Sequence, residues 1–132
     1  DSTTITILGV DNKSCTNQGF RSTNTGDLAA AMAGTEGFRI LLSHDPTHWA
    51  AEVLPQTNIP LTLSGHTHAM QLSLFGWSPS SLMFKHNKGL YTSDSGTQSL
   101  YVNVGLGETI FPARIGARPE ITLITLKKTD CK

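Results

Sequence analysis

Short apolar runs, separated by polar and glycine-containing segments, give this chain the pattern of several strands and two helices. Residues 3–10 (TTITILGV) are rich in β-branched side chains and predict the first strand. Residues 38–43 (FRILLS) and 61–64 (LTLS) predict two further strands, each ending next to a histidine-containing segment. Residues 120–126 (EITLITL) place apolar side chains on both faces, which is typical of a strand buried inside a layered structure.

Three more segments complete the pattern of the second half of the chain. Residues 70–74 (MQLSL) alternate apolar and polar positions and predict a strand. Residues 90–92 and 100–104 flank a turn that contains serine and glycine, and this arrangement predicts a β-hairpin. The mixed segment 75–88, which contains glycine, proline and tryptophan, is predicted to be a loop.

A polar segment and a short run of helix-forming residues follow the first strand. Residues 11–24 contain glycine, asparagine and serine and predict a long loop. Thr25 is the expected N-cap of a helix, Asp27 lies in its first turn, and LAAAMA supplies good helix formers. Gly34 is expected to end this helix because glycine adopts the left-handed conformation common after a helix.

Asp45 and Pro46 mark the start of a second helix. Aspartate is favoured at the N-cap and proline at the first helical position, so PTHWAAEVL is predicted to be helical. Trp49 and Val53 lie four residues apart and are expected to share the buried face of this helix. The order strand, helix, strand, helix and then several strands is that of a mixed α/β chain with a largely antiparallel C-terminal region.

The composition fits a single globular domain over residues 1–132. Hydrophobic residues make up 38% and charged residues 15% of the chain, which is ordinary for a domain that buries a core. Basic and acidic residues balance at ten each, so the chain carries no overall electrostatic signature of nucleic-acid binding. No apolar run approaches the roughly 18 residues of a membrane-spanning helix, so no membrane segment is expected in this chain.

The N-terminus and the cysteines add little to this picture. The opening DSTTITILGV lacks the features of a signal peptide and an initiator methionine, so we expect a mature product or a piece of a longer protein. Cys15 and Cys131 are too few for a disulfide framework or a cysteine-rich metal site. We expect two unrelated thiols, with pairing as the open alternative.

Three of the five histidines directly follow predicted strands. His44 follows FRILLS, and His66 and His68 follow LTLSG. Ligands bind at the carboxyl ends of strands in open α/β sheets, so these imidazoles are expected to meet in one crevice. In the turn that follows the strand we expect the i, i+2 spacing to send the His66 and His68 side chains to different sides, which favours two neighbouring metal ions, a device that clamps phosphoryl groups. His48 and His86 are expected to be ordinary surface or hydrogen-bonding residues.

Four segments of the sequence resemble the calcineurin-like metallophosphoesterases. They are SHDP, GHTHAMQ, NVGLG and RPEITLITL, at residues 43–46, 65–71, 103–107 and 118–126. The likeness covers nearly the whole chain and is to the C-terminal half of that family's catalytic domain, in particular to bacterial enzymes with a Gly-His-Thr-His-Gly-x-Gln signature. It implies one half of a four-layer α/β/β/α sandwich, with a two-metal site at the strand ends.

The resemblance also implies a role for each histidine. His44 and His66 are implied to share one metal ion and His68 to bind its neighbour, the ions being Mn, Fe or Zn. In that family a hydroxide bridging the two metals attacks the phosphorus of a phosphomonoester or phosphodiester. We interpret Asp45 as a helix N-cap rather than as a partner of the metal centre. Ala69 stands where the family commonly has glycine, which we expect to be a mild change.

Other motifs of the family are missing from this sequence. It has no N-terminal Asp-x-His. Gly26-Asp27 lacks the later aspartate of a Gly-Asp-x-x-Asp motif. Asn12 and Asn17 precede no histidine, so there is no Asn-His-Asp or Asn-His-Glu. We therefore expect these 132 residues to bind metal weakly, or as a single ion held by three histidines, and to be inactive alone. The N-terminal half of the same domain is the expected partner. Localisation at a membrane or in the cytoplasm is expected to depend on that upstream region.

Two other functions stay open at this point. A non-catalytic protein-binding module on the same scaffold is the main alternative, although such a module has no need of three histidines. A mononuclear zinc hydrolase needs a general base, for which Glu108 in the glycine-rich segment 105–118 is the candidate. This segment is expected to wrap a site, and its Arg114 and Arg118 are candidates for contact with an anionic substrate, with simple exposure as the equal alternative.

Overall fold

The computed structural model describes residues 4–12, 27–109 and 112–128. Predictions about Cys15, Asn17, Cys131 and most of the loop 11–24 lie outside these residues. The strands are β1 (Ile5–Gly9), β2 (Phe38–Leu42), β3 (Leu61–Ser64), β4 (Gly89–Thr92) and β5 (Ser99–Val102). The helical elements are α1 (Leu28–Met32), a π-helical turn (Trp49–Val53) that continues as α2 (Leu54–Gln56), a 3₁₀ turn (His68–Gln71) and α3 (Ser80–Met83). Within these ranges no helix is both long and apolar enough to cross a membrane.

The strands form a mixed sheet in the order β1-β2-β3-β5-β4. β1, β2, β3 and β5 run parallel, and β4 pairs antiparallel with β5. The predicted α/β class and the predicted antiparallel pair of C-terminal strands are therefore confirmed. Because β2, β3 and β5 are parallel neighbours, the residues that follow them emerge at the same edge of the sheet.

One face of the sheet is buried beneath the helical elements. The strand register places a row of buried side chains on this face, each no more than 4% exposed. They are Leu8, Leu41, Thr62 and Leu100. Trp49 and Val53 pack in the same core cluster. Their predicted position on one buried face is confirmed, and each fully buried apolar side chain contributes about 2 kcal/mol to stability.

The opposite face of the sheet carries large apolar side chains that are exposed to water. Ile5 and Ile7 of β1 lie on this face with Leu42 of β2, since side chains alternate along a strand and Gly9 pairs with Leu42. These three side chains are 52%, 59% and 46% exposed, and Leu90 at the far edge is 64% exposed. Ile40, which pairs with Ile7 on this face, is 8% exposed, so the exposed apolar side chains lie towards the two edges of the sheet. Exposed apolar side chains of this size make the face a candidate for contact with another part of a protein.

The predicted closing strand at residues 120–126 does not form in the structure. These residues have no regular secondary structure, and Ile121 and Leu123 are 85% and 91% exposed. A strand needs a neighbour for its ladder of hydrogen bonds and a surface against its apolar side chains, and no described strand pairs with this segment. The segment is tied to the end of β5 by Asn103, whose side-chain amide donates to Thr122 Oγ1 at 2.8 Å.

Two predictions in the middle of the chain are also wrong. Residues 70–74 do not form a strand, because the 3₁₀ turn continues to Gln71 and Leu72 then makes only isolated bridges to residues 115 and 116. Segment 75–88 is not a loop throughout, because Ser80–Met83 forms α3. Left-handed backbone conformations in the 3₁₀ turn break the extended geometry that the alternating pattern favours.

The start of α1 lies two residues later than the sequence pattern predicts. Asp27, and not Thr25, is the N-cap, because its carboxylate accepts the backbone N–H of Ala30 at 2.9 Å. A negative charge at this position also complements the positive end of the helix dipole. Gly34 lies just beyond the helix with φ +68°, as expected for a residue that ends it.

Gly116 approaches the backbone of Ser73 too closely for any side chain. It has φ +70°, and a β-carbon there would lie 1.8 Å from the carbonyl oxygen of Ser73. We expect Gly116→Ala to lower the free energy of unfolding by about 3 kcal/mol, because the backbone must shift as well as accept a strained φ. Gly96→Ala is the matched control: Gly96 has φ +74° but open space around it, so the loss should be about 1 kcal/mol. Urea unfolding measures both, and equal losses would contradict the predicted collision.

Candidate metal centre

The ends of β2 and β3 bring two histidine motifs together. His44 follows β2, and Gly65 and His66 follow β3. The backbone N–H of Gly65 donates to the carbonyl oxygen of His44 at 3.0 Å, which continues the pairing of the two strands past the sheet. The rings of His44 and His66 meet edge to face with their centroids 5.2 Å apart. These two imidazoles therefore lie side by side at one edge of the sheet.

The backbone that carries the second motif is held in an unusual conformation. His66, His68 and Ala69 have φ values of 64°, 46° and 47°, in the left-handed region that costs an L-residue about 1 kcal/mol. Met70 and Gln71 continue the run with φ 48° and 55°. Strained residues of this kind persist only where their surroundings hold them, and they cluster at functional sites. Glycine would adopt this φ freely, so the alanine at position 69 carries a backbone cost of this size.

Thr67 and Gln71 hold this strained turn through buried hydrogen bonds. Thr67 Oγ1 donates to the carbonyl oxygen of Asn87 at 2.6 Å. Gln71 Nε2 donates to the carbonyl oxygen of Ala113 at 2.8 Å, and its Oε1 accepts the backbone N–H of Thr109. Both side chains are buried, at 5% and 4% exposure. The threonine and glutamine of the signature thus fix the turn and link it to the glycine-rich segment.

His68 packs against the glycine-rich segment that the sequence predicts to wrap the site. A β-carbon at Gly105 would lie 3.2 Å from Cε1 and 3.3 Å from Nδ1 of His68. The φ of Gly105 is +78°, which also favours glycine. Nη2 of Arg114 lies 3.3 Å from the same Nδ1. The imidazole of His68 therefore packs against Gly105, where a side chain would crowd it, and lies within hydrogen-bonding distance of Arg114.

Arg114 is held by the backbone of the same segment. Its Nε donates to the carbonyl oxygen of Gly107 at 2.9 Å and its Nη1 to that of Ala117 at 3.3 Å. Its Nη2 donates to the carbonyl oxygen of Val104 at 2.8 Å. Because backbone carbonyl oxygens accept from the N–H groups of the guanidinium, these contacts favour a structural role for Arg114 over the predicted contact with substrate.

Other charged residues of this region are open to water. Arg118 is exposed and lines a cavity of about 370 Å³ together with Lys88 and Glu120. Glu108, the candidate general base, is also exposed, and no contact within the described residues joins its carboxylate to a histidine. Of the two arginines, Arg118 is therefore the one that is accessible to an anionic ligand.

Partial burial and neighbouring groups lower the pKa of two of the histidines and so favour their neutral form. Burial lowers the pKa of His44, the nearby His66 lowers it further, and the carboxylate of Asp45 partly opposes these effects. Burial also lowers the pKa of His68, followed by the guanidinium of Arg114 and then by His44 and His66. Neutral imidazole is the form that ligates metal ions, so both shifts favour the ligand state near neutral pH.

The donor chemistry fits a transition-metal ion, but the donor set is incomplete. Imidazole nitrogens suit zinc and iron. Within residues 4–12, 27–109 and 112–128, however, no three His, Cys, Asp or Glu side chains lie close enough to hold one ion. Asp45 directs its carboxylate to the backbone N–H of Thr47 at 2.8 Å, which agrees with its predicted capping role. The expected single ion held by three histidines is thus not supported by this part of the chain, whereas paired imidazoles fit a centre completed by further ligands.

The other two histidines are buried rather than exposed on the surface. His48 is 4% exposed, and its Nδ1 lies 2.8 Å from Ser43 Oγ. His86 is 9% exposed and packs edge to face against Trp49 and Tyr91, with centroid distances of 5.2 and 4.7 Å. The hydrogen-bonding role expected for His48 is confirmed. His86 instead belongs to an aromatic cluster, which is a packing role that its lysine-flanked sequence does not indicate.

Asn103 is a residue of this region that the sequence reasoning missed. It follows β5 directly, and His44 follows β2 after one intervening residue, so the position of Asn103 after a buried strand is the signal that could have identified it. Its backbone N–H donates to the carbonyl oxygen of Ser64 at 2.9 Å, and its Oδ1 accepts the N–H of Gly105 at 2.6 Å. Asn103 therefore anchors the start of the glycine-rich segment beside the end of β3.

Comparison with known proteins finds relatives named as metallophosphoesterases. The uncharacterized metallophosphoesterase YkuE of Bacillus subtilis (strain 168) is 41% identical over 98 residues, which are 70% of this chain and 32% of that protein. A transmembrane protein with metallophosphoesterase domain from Danio rerio is 44% identical over 108 residues, 77% of this chain and 23% of that protein. An uncharacterized metallophosphoesterase of Aquifex aeolicus (strain VF5) is 27% identical over 123 residues, 93% of this chain and 46% of that protein. No family model and no solved structure matches the chain.

These relatives agree with the motifs and with the fold. The chain spans less than half of their length, at 23% to 46% of each protein. The likeness is not confined to bacteria, because it extends to a fish protein. The mixed sheet with its antiparallel β4–β5 pair is consistent with the same family. The sequence similarity and the fold together place this chain in the metallophosphoesterase family.

Proposed function

We propose that this chain is part of a metal-dependent phosphoesterase that hydrolyses phosphomonoesters or phosphodiesters. The observation that carries the proposal is the pairing of His44 and His66 at the ends of adjacent parallel strands, with ring centroids 5.2 Å apart. The names of the relatives support the same class of reaction. Those names give no substrate, so the proposal names the bond that is hydrolysed, a phosphoester, and not the molecule that contains it.

Each histidine has a proposed position in the centre. His44 and His66 would hold one divalent ion, and His68 would hold its neighbour, with Mn, Fe or Zn as the candidate ions. Divalent metals supply Lewis acidity that polarises phosphoryl oxygens. The contribution of this chain is to hold the turn that carries His66 and His68, through the buried hydrogen bonds of Thr67 and Gln71.

The remaining ligands are proposed to come from an N-terminal half of the same catalytic domain. Imidazoles bring no negative charge, so two divalent ions need carboxylates from elsewhere. The relatives are two to four times longer than the matched segment, which leaves room for such a half. The exposed apolar sheet face formed by Ile5, Ile7, Leu42 and Leu90 is the surface that this half would cover.

The same apolar face also favours a second candidate, a non-catalytic module that binds another protein. Such a module would use Ile5, Ile7 and Leu42 for contact and would not depend on metal. The two candidates differ in what they require of the histidines. Metal dependence therefore separates them.

Removing metal from the proposed complete domain tests the phosphoesterase. Chelation is expected to reduce hydrolysis of a bis-aryl phosphate by at least about 100-fold, because the Lewis acid is lost, and adding Mn²⁺, Fe²⁺ or Zn²⁺ should restore it. Release of the aryl alcohol measures the rate, and circular dichroism checks that the stripped protein stays folded. Undiminished hydrolysis by a folded, metal-free protein would refute the proposal. A folded domain without hydrolysis under any metal would favour the binding module.

A further inference from the structure

We propose that Arg114 competes with a metal ion for His68. The inference rests on the proposed metal centre. Nη2 of Arg114 lies 3.3 Å from Nδ1 of His68. The carbonyl oxygens of Val104, Gly107 and Ala117 accept from the same guanidinium at 2.8, 2.9 and 3.3 Å. Arg114 is therefore fixed against the imidazole by the backbone and does not merely pass near it.

The hydrogen-bonding rules of the two groups determine the state of His68. A guanidinium has only N–H donors, so Nδ1 of His68 must be the acceptor. Nδ1 then carries no proton, and the proton of the neutral ring lies on Nε2. This is one defined tautomer, set by the contact with Arg114.

Metal binding through either ring nitrogen breaks this contact. An ion on Nδ1 takes the lone pair that accepts from Arg114. An ion on Nε2 requires the proton of that nitrogen to move to Nδ1, where it would face the N–H groups of the guanidinium. Arg114 must therefore leave His68 before the second metal position can fill.

The positive charge of Arg114 opposes metal binding at His68, as its hydrogen bond does. Its described partners are carbonyl oxygens and His68, none of which brings a negative charge. A cation approaching His68 meets this half-buried positive charge, whereas the His44–His66 pair has no guanidinium among its described contacts. The position at His68 is thus expected to fill after the position at His44 and His66.

Zn²⁺ titration of the proposed complete domain by calorimetry tests the competition. Arg114→Gln is expected to raise the affinity of the step that depends on His68 by about tenfold, the size of an ordinary coupling between two sites. Arg118→Gln is the matched control, because it makes the same charge change on an exposed residue of the same segment. The control should stay within about twofold of the wild type, below the usual range of such couplings.

Nuclear magnetic resonance of the wild-type complete domain gives a second readout that needs no variant. Metal-free His68 is expected to carry its proton on Nε2, and Zn²⁺ should speed hydrogen exchange at the Arg114 Nε–H by releasing it from Gly107. Equal affinities of the two arginine variants, or a metal-free His68 protonated on Nδ1, would overturn the competition. If His66→Ala and His68→Ala leave Zn²⁺ affinity unchanged, the proposed metal centre itself fails. If they weaken binding while Arg114→Gln does not strengthen it, only the competition fails.

Discussion

Replacing His66 by alanine in the proposed complete domain is expected to reduce phosphoester hydrolysis by at least about 100-fold. Loss of a group that only supports a metal ligand costs about 10- to 100-fold, so loss of a ligand should cost at least as much. His66 lies between His44 and Phe84, with centroid distances of 5.2 and 5.6 Å. Its truncation removes one of two adjacent imidazoles and leaves His44 without its partner. Metal content after dialysis should fall in parallel with the rate.

The matched control for this experiment is another buried histidine. His86 packs on Trp49 and Tyr91, so His86→Gln should reduce stability but leave metal content and specific activity unchanged. Circular dichroism and the unfolding midpoint separate loss of fold from loss of metal. A folded His66→Ala protein that keeps its metal and its rate would contradict the proposed role of His66. A folded, metal-free variant that retains binding to a protein partner would support the non-catalytic module.

The parts of this fold that the sequence predicts are those determined by neighbours along the chain. β3 forms over Leu61–Ser64, the predicted residues, because its apolar run is bounded by Pro60 and Gly65. β2 and the β4–β5 hairpin follow from the same local signals. Since parallel strands end at one edge, the approach of His44 to His66 also follows from the order of the strands.

The parts that the sequence does not predict depend on residues far away in the chain. Arg114 meets His68 across 46 positions, and Gln71 reaches Ala113 across 42. Such distant contacts, with those of Thr67 to Asn87 and Ser78 to Ala69, hold positive φ at five residues from His66 to Gln71 in a segment that contains no glycine. The apolar segment 120–126 fails to form a strand for a related reason, because no described strand lies beside it. The periodicity of apolar residues predicts which side chains favour burial. It does not predict which distant segment packs against them.

The second prediction with a large expected effect concerns the exposed sheet face and the proposed N-terminal half. The 132-residue chain alone is expected to hydrolyse a bis-aryl phosphate at no more than roughly one hundredth of the rate of the complete domain, because carboxylates that would hold both ions are missing. Adding the proposed N-terminal half as a separate polypeptide should restore a large part of the rate. The added half would supply the ligands and would cover Ile5, Ile7 and Leu42, whose exposure is 52%, 59% and 46%. The rate measured against the concentration of the added half gives the affinity of the two pieces.

Ile7→Lys tests whether this recovery depends on the sheet face. The substitution places a charge on the exposed face of β1 and leaves all three candidate ligands unchanged. Burying an unpaired lysine is costly, so the variant should need a much higher concentration of the added half to reach the same rate. The exposed Asp94→Lys is the control away from this face, and its recovery should match the wild type. Full Mn²⁺-dependent hydrolysis by the 132 residues alone would refute the need for a second half, and equal recovery by Ile7→Lys would place the contact elsewhere.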